Sequence, residues 1–301
     1  MALAEKTFND GEVIIKEGDI GKSFFRLLKG KASVYADYAK KEPFRLAVLE
    51  EGEYFGEMAI IEEYPRSATI VAKGHVTVVE IPEDDLNEYF EQNPDQIYEL
   101  MKHLGRRVET MTRDYNEAKA LLKEVSESDA AKNKSLFSKI KKHINLYQYN
   151  KNRLTEPADD TKEEASSESV DDGTGNVRNY GKGLIIFKEG AAEDCLYILH
   201  QGRVGFYTDF RRREEVKVDE ASAVTIFGEM GMFTGEARTV TAVAETDARV
   251  ETICPEDLEA LFKTSPAKVA LILRRLSYKV RKLNSDFLYA CKDITETYNE
   301  K

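Results

Sequence analysis

One stretch of this chain occurs twice, and that repeat fixes most of what the chain can fold into. Residues 55–69 read FGEMAIIEEYPRSAT and residues 227–241 read FGEMGMFTGEARTVT. The offset of 172 residues, from Gly56 to Gly228, holds without a gap well beyond the stretch. Gly11 falls on Gly183, Glu17 on Glu189, Gly18 on Gly190, Gly30 on Gly202, Phe90 on Phe262 and Pro94 on Pro266. A self-match of this length marks duplicated domains, and 301 residues give room for two of ordinary size. The repeat places one domain at 1–127 and the other at 179–301, with 128–178 between them.

The front of each copy is β-rich. In the first, short runs at Val13–Ile15, Phe24–Leu28, Ala32–Tyr35, Leu46–Leu49, Thr69–Ala72 and Thr77–Ile81 are separated by the glycines Gly11, Gly18, Gly30, Gly52 and Gly74. Short alternating runs with turn glycines predict a small antiparallel barrel or roll. Pro82-Glu83-Asp84-Asp85 carries the acidic first turn of a helix, and Asn93-Pro94-Asp95 opens another. The fold class is therefore mainly β with α: two tandem jelly-roll-like units, each followed by a long helix.

The stretch between the copies has two parts. Residues 132–153 hold seven Lys/Arg and no acid, with Leu136, Phe137, Ile140, Ile144 and Tyr147 at helical spacing. They read as a helix that either packs on a neighbour or meets an anionic surface or partner. Residues 156–172 hold eight Asp/Glu against one Lys and almost no large apolar side chains, the composition of a flexible, self-repelling linker.

Several functions are excluded or disfavoured by composition. A net charge of −11 argues against a general nucleic-acid binder. No apolar run reaches the roughly 20 residues of a membrane span, and the N-terminus lacks the pattern of a secretory signal. The cysteines Cys195, Cys254 and Cys291 align with Ser23, Pro82 and Lys119, so the copies share no disulfide framework, and a reducing cytoplasm is the expected compartment. The four histidines show no metal-ligand spacing. There is no Ser/His/Asp set and no Walker-type loop, so no catalytic residue and no metal are expected.

The repeated motif makes sense as an anion site. Gly56 lets backbone amides approach a ligand closely. A short helix from Glu57 to about Ile61 would aim its first N–H groups, around Met58 and Ala59, at a phosphate. Arg66 adds a fork that matches two phosphate oxygens, with Ser67 after it. Glu57 would repel the phosphate and needs a neutral donor such as a ribose hydroxyl. The second copy repeats the set as Gly228, Glu229, Met230, Gly231, Arg238 and Thr239, with Pro65 and Ala68 replaced by Ala237 and Val240.

This pattern, with its upstream E-G and K-G turns, resembles the cyclic nucleotide-binding domain family, which includes catabolite activator protein, kinase A regulatory subunits and cyclic-nucleotide-gated channels. The resemblance covers both copies. It implies that Glu57 and Glu229 hold the ribose 2′-hydroxyl, and that Arg66 and Arg238 hold the cyclic phosphate of cAMP or cGMP. A Thr after the arginine is often associated with cGMP in this family and small residues with cAMP, which bears on Ser67 and Thr239. It further implies polar residues against the base, which by ungapped counting are Thr112 and Asn284.

Each copy ends in a long apolar stripe at spacings of four and three. The first runs Ile97, Met101, Leu104, Val108, Met111, Tyr115, Ala118, Leu122 and Val125; the second runs Val269, Leu273, Leu276, Val280, Leu283, Phe287, Ala290 and Ile294. Such a stripe predicts a coiled-coil seam. By likeness to catabolite activator protein, whose equivalent helices pair between subunits, the two helices would pair within one chain as a pseudo-dimer, or between chains in a homodimer. From the few residues after the second seam, no winged helix of the kind that binds DNA in that family, and no direct DNA binding, is expected. Arg274-Arg275-Leu276-Ser277 has the look of a kinase site, but its place on the seam favours a plain helix. The expected function is a cytoplasmic cyclic-nucleotide sensor that acts through its long helices on a protein partner. The alternatives are a regulatory subunit of a kinase or channel, and a non-binding scaffold.

Overall fold

The computed structural model describes residues 4–36, 38–39, 43–56, 66, 68–82, 85, 88–89, 92–127, 134–150, 173 and 175–299. The first roll contains β1 (Glu5–Phe8), β2 (Val13–Ile15), β3 (Ser23–Ala36), β4 (Phe44–Leu49), β5 (Tyr54–Phe55) and β6 (Thr69–Pro82). All pair antiparallel in one sheet, with β6 and β3 at its centre. The helices α1 (Pro94–Glu127) and α2 (Lys134–Asn150) follow.

The second roll contains β7 (Asn176–Tyr180), β8 (Ile185–Phe187), β9 (Leu196–Gln201), β10 (Arg203–Thr208), β11 (Val216–Ser222) and β12 (Thr225–Phe227). After these come α3 (Glu229–Thr234), β13 (Thr241–Ala244), β14 (Ala248–Ile253), α4 (Leu258–Thr264) and α5 (Pro266–Asn299). Its strands form two sheets, β11-β10-β13-β8 and β12-β9-β14-β7.

The sequence predicts two short strands where β3 and β6 each run on as one. The reason sits at Gly30, which has φ +91° and where a Cβ would lie 2.5 Å from the His75 carbonyl. Gly202 repeats this at φ +90°, 2.4 Å from the Asp247 carbonyl. Only glycine permits that crossing. In the first roll the ladder resumes on both sides of it; in the second it breaks and two sheets result. The strands β1 and β5 carry no pattern long enough to be read from sequence.

Two cores fill the rolls. The first consists of Ile15, Phe25, Leu27, Ala32, Phe55, Ile70, Ala72, Val76 and Val78. The second consists of Phe187, Tyr197, Leu199, Val204, Phe227, Ala242, Ala244, Ala248 and Val250. Every member of one stands 172 residues from a member of the other. Volume is traded within the set: Phe187 is larger than Ile15, while Ala242 and Ala248 are smaller than Ile70 and Val76.

The chain forms two compact units. One comprises Met1–Asn93, Thr110–Pro157 and Ser277–Lys301; the other comprises Pro94–Glu109 and Ala158–Leu276. Both long helices thus contribute to each unit. In the first unit, Ala118, Leu121 and Val125 of α1, Ile140 of α2, and Phe287, Ala290, Cys291 and Ile294 of α5 share one buried cluster. The seam residues Ala118, Val125, Phe287, Ala290 and Ile294 therefore meet within one chain, as the in-register stripes predict. Ile144 and Tyr147 of α2 pack against the same cluster, so the apolar face of the basic segment is covered by its neighbours. Leu136 and Phe137 have no described side-chain surroundings, and residues 156–172 lie outside the described residues.

In the second unit the proximal half of α1 packs against α3, the short helix of the second roll. Tyr98 and Phe233 rings are 6.4 Å apart, and a Cβ at Gly105 would lie 2.5 Å from the Phe233 Cβ. The stripe of α1 alone does not reveal this contact.

Cys195 and Cys254 form a disulfide. They lie one pair beyond the Leu196–Ile253 register of β9 and β14, where antiparallel neighbours come close. The bridge belongs to the second copy alone, and it runs against the expectation of a reducing compartment. Burial pushes the remaining thiol, Cys291, up to about 12. Ser277 is fully buried and Arg275 bonds the Val224 carbonyl at 2.8 Å, so the serine of the Arg-Arg-Leu-Ser string is packed rather than presented to a kinase. Among the described residues no helix is long and apolar enough to cross a membrane.

The contact at Gly105 yields a prediction. Helix propensity alone favours Gly105→Ala by about 1 kcal/mol, but the added carbon meets Phe233 near its backbone, and overpacking costs roughly 1–3 kcal/mol. The variant should be less stable in denaturant unfolding; equal or greater stability would show that α1 does not need the close approach.

Candidate functional site

Each roll buries an arginine at the position expected to hold a phosphate. Arg66 is 7% exposed and Arg238 5%. Arg66 Nη1 donates to the Gly56 carbonyl at 2.5 Å, and Nη2 donates to the Ser23 carbonyl. Arg238 repeats the clamp: Nη1 donates to the Gly228 carbonyl, and Nη2 to the Cys195 carbonyl at 2.5 Å. The backbone closes around each in the same way. Gly18 N–H bonds Arg66 O and Arg66 N–H bonds Asp19 O, both at 2.9 Å. Gly190 N–H bonds Arg238 O at 2.7 Å, and Arg238 N–H bonds Ala191 O at 2.9 Å. Thr69 and Thr241 hydroxyls accept from the amides of Glu17 and Glu189, each at 3.1 Å.

Aromatic faces support the guanidinium groups. Arg66 lies 6.0 Å from the Phe25 ring centre. Arg238 lies 4.4 Å from Phe187 and 5.4 Å from Tyr197. A cation over a ring face gains electrostatically while its edges stay available for hydrogen bonds. Arg238 Nε is buried and has no hydrogen-bond partner among the described residues. A buried N–H of this kind is costly unless a ligand oxygen meets it.

The glycines ahead of the arginines take a backbone conformation that favours glycine. Gly56 has φ +78° and Gly228 φ +71°, conformations that side chains rarely adopt. From Gly228 the chain enters α3, whose first turn holds Glu229, Met230 and Gly231. Glu229 is 4% exposed. Gly231 borders the guanidinium, since a Cβ there would lie 2.7 Å from Arg238 Nη1. Gly228, Gly231 and Arg238 are thus brought together, while Thr239 is exposed. Glu57, Met58, Ala59 and Ser67 lie outside the described residues. Thr112 is half-buried and Asn284 exposed, and both belong to the unit that contains Arg66.

Sequence reasoning missed the carbonyls of Ser23 and Cys195, since a backbone acceptor leaves no mark in side-chain identity. It also missed the rings beneath the arginines. Their trace is the aromatic character of Phe25 and Tyr197 at matching positions.

A family model described as the cyclic nucleotide-binding domain matches residues 5–93 and 177–265. The chain belongs to the cyclic nucleotide-binding domain family. The ligand class that goes with this family is a cyclic nucleotide. Over 113 residues the chain is 35% identical to cGMP-dependent protein kinase 2 of Mus musculus, covering 37% of this chain and 14% of that protein. Over 73 residues it is 40% identical to the cAMP-dependent protein kinase regulatory subunit of Blastocladiella emersonii, covering 24% and 18%. The chain thus spans under a fifth of the length of these curated relatives. Among solved structures, the regulatory domain of Toxoplasma gondii PKA crystallised with cAMP aligns over 89% of this chain and 83% of its own, at 17% identity and a TM-score of 0.28.

The Ser23 position also carries an electrostatic link. Ser23 Oγ donates to Glu80 at 2.7 Å, and Lys6 pairs with the same carboxylate. Burial by itself would raise the Glu80 carboxyl; the bonds from Lys6 and Ser23, with the charges of Lys6 and Arg66, outweigh it and hold the group below its ordinary value. A depressed carboxyl stabilises the fold above its unfolded pKa and loses that contribution as pH falls through the folded value. Glu80→Gln should therefore unfold more readily than wild type at pH 7, and the gap should close in acid. A gap that persists at pH 3 would count against the charge and favour lost packing.

Proposed function

We propose that the chain is a non-catalytic cyclic-nucleotide sensor with two binding sites, one in each roll. The observation that carries this reading is the duplicated arginine clamp: two buried guanidinium groups, each fixed by a left-handed glycine and one further carbonyl, with an unpartnered N–H at Arg238. The fixed fork suits two phosphate oxygens. Glu57 and Glu229 take the ribose 2′-hydroxyl, and Met58, Ala59, Met230 and Gly231 supply backbone amides beside the phosphate. Ser67, Thr239, Thr112 and Asn284 are proposed to tune the choice between cAMP and cGMP.

The output runs through the helices. Phe233 lies on the helix that carries Glu229 and Met230, and it packs against α1 at Tyr98 and Gly105. Tightening of that turn on a ligand would favour one placement of α1 over another, which is a population shift. A protein partner would then read the helices or the basic α2. This agrees with relatives that are kinases or kinase regulatory subunits. The domain limits of 1–127 and 179–301 are kept for the two sequence copies.

Calorimetric titration with cAMP and with cGMP tests the proposal. Wild type should bind two equivalents, and Arg66→Ala and Arg238→Ala should each lose one, since removing a charged hydrogen-bond partner costs roughly 1.5–3 kcal/mol per bond. Absence of heat with both nucleotides would leave only a scaffold.

A further inference from the structure

The two clamps differ in what faces the arginine from the loop before β3 and β9. At the first site that residue is Gly21, and a Cβ there would lie 2.2 Å from the Arg66 guanidinium. The equivalent residue at the second site is Glu193. Its carboxylate Oε2 stands 3.8 Å from Arg238 Nη2 and accepts a hydrogen bond from Tyr197 Oη at 3.1 Å. Burial, then the Glu193 charge, pushes the Tyr197 phenol up to about 12, so it remains a donor at neutral pH. The next residues widen the contrast: Lys22 follows Gly21, whereas Asp194 follows Glu193.

The exchange is matched across the site. The Glu193 carbonyl comes so close to the first turn of α3 that a Cβ at Gly231 would lie 2.5 Å from it. In the first copy the loop has the glycine and the turn has Ala59; in the second the loop has Glu193 and the turn has Gly231. That contact is to the backbone of residue 193, so Gly231 makes room for the loop that carries the glutamate.

We propose that Glu193 is an affinity-determining residue of the second site: its carboxylate competes with the ligand phosphate for Arg238, and the second site is consequently the weaker of the two. This rests on the reading of Arg238 as a phosphate ligand. A phosphate reaching Arg238 must either displace Glu193, breaking the Tyr197 bond, or sit beside a like charge. Glu193 is 44% exposed, so it can swing into water, and the penalty is that of a partly screened ion pair. At a rising nucleotide concentration the first site then fills before the second.

The test uses the full chain with Arg66→Ala, so that heat with cAMP reports the second site. Glu193→Gln keeps the size and the Tyr197 bond and removes only charge; Glu193→Gly restores the residue of the first copy. Both should bind roughly fivefold more tightly than the Glu193 chain. Unchanged or weaker binding in both overturns the proposal. So does the absence of second-site binding in all three chains; if the chain with Arg66 intact still binds one equivalent, the sensor reading survives on the first site. If that chain also binds nothing, both readings fall.

Discussion

Two backbone carbonyls hold each guanidinium in place, and most of the rest of the structure serves to bring them there. One belongs to a glycine in a left-handed conformation, Gly56 or Gly228, at the end of a strand. The other belongs to the residue that opens the central strand, Ser23, or immediately precedes it, Cys195. These points lie far apart in sequence and become neighbours only because β3 pairs with β5, and β9 with β12. A buried arginine without such partners would be strongly unfavourable. With them it becomes a fork held in one orientation. Preorganisation of this kind lowers the ordering cost of binding.

The rolls can drift in sequence while this clamp persists because the two depend on different physics. A core needs volume and apolar surface, and both can be redistributed among neighbours. Between the two cores, Phe187 for Ile15 and Val204 for Ala32 add volume where Ala242 for Ile70 and Ala248 for Val76 remove it. The clamp needs a positive φ, a carbonyl at a fixed place and a permanent charge, and no other residue types supply all three. The same positions are therefore apolar but variable in the cores, and glycine and arginine in both sites.

This division also sets what was legible in the sequence. The repeat, the turn glycines and the motif residues announce two rolls and two arginines because each is a local constraint on residue type. The long stripes announce the shared cluster of α1 and α5, because apolar periodicity is local as well. What stayed hidden depends on distant partners. No pattern in α1 reveals that its first half meets Phe233, since Gly105 is legible only as a helix-weakening residue until its neighbour is known. The disulfide escaped for a related reason: the first copy has Ser23 and Pro82 at those positions, so the comparison within the chain suppressed a pairing that the register of β9 and β14 makes natural.

The second roll has gained constraints that the first lacks, and they converge on the same strands. Besides the disulfide, Glu251 of β14 bonds His200 of β9 at 2.8 Å and Lys268 of α5 at 2.9 Å, all three buried. The first copy has Leu28, Val79 and Gln96 there. A buried carboxylate with two basic partners adds little net stability over an apolar equivalent, because desolvation offsets attraction. Its geometric demands are nevertheless strict, so it fixes how α5 leaves the roll. The disulfide fixes the other end of β9 at Cys195, the residue whose carbonyl holds Arg238. Between these two ties the strand can shift little along its length. A ligand at Arg238 would therefore act on α3, and through Phe233 on α1, and not by moving the strand itself.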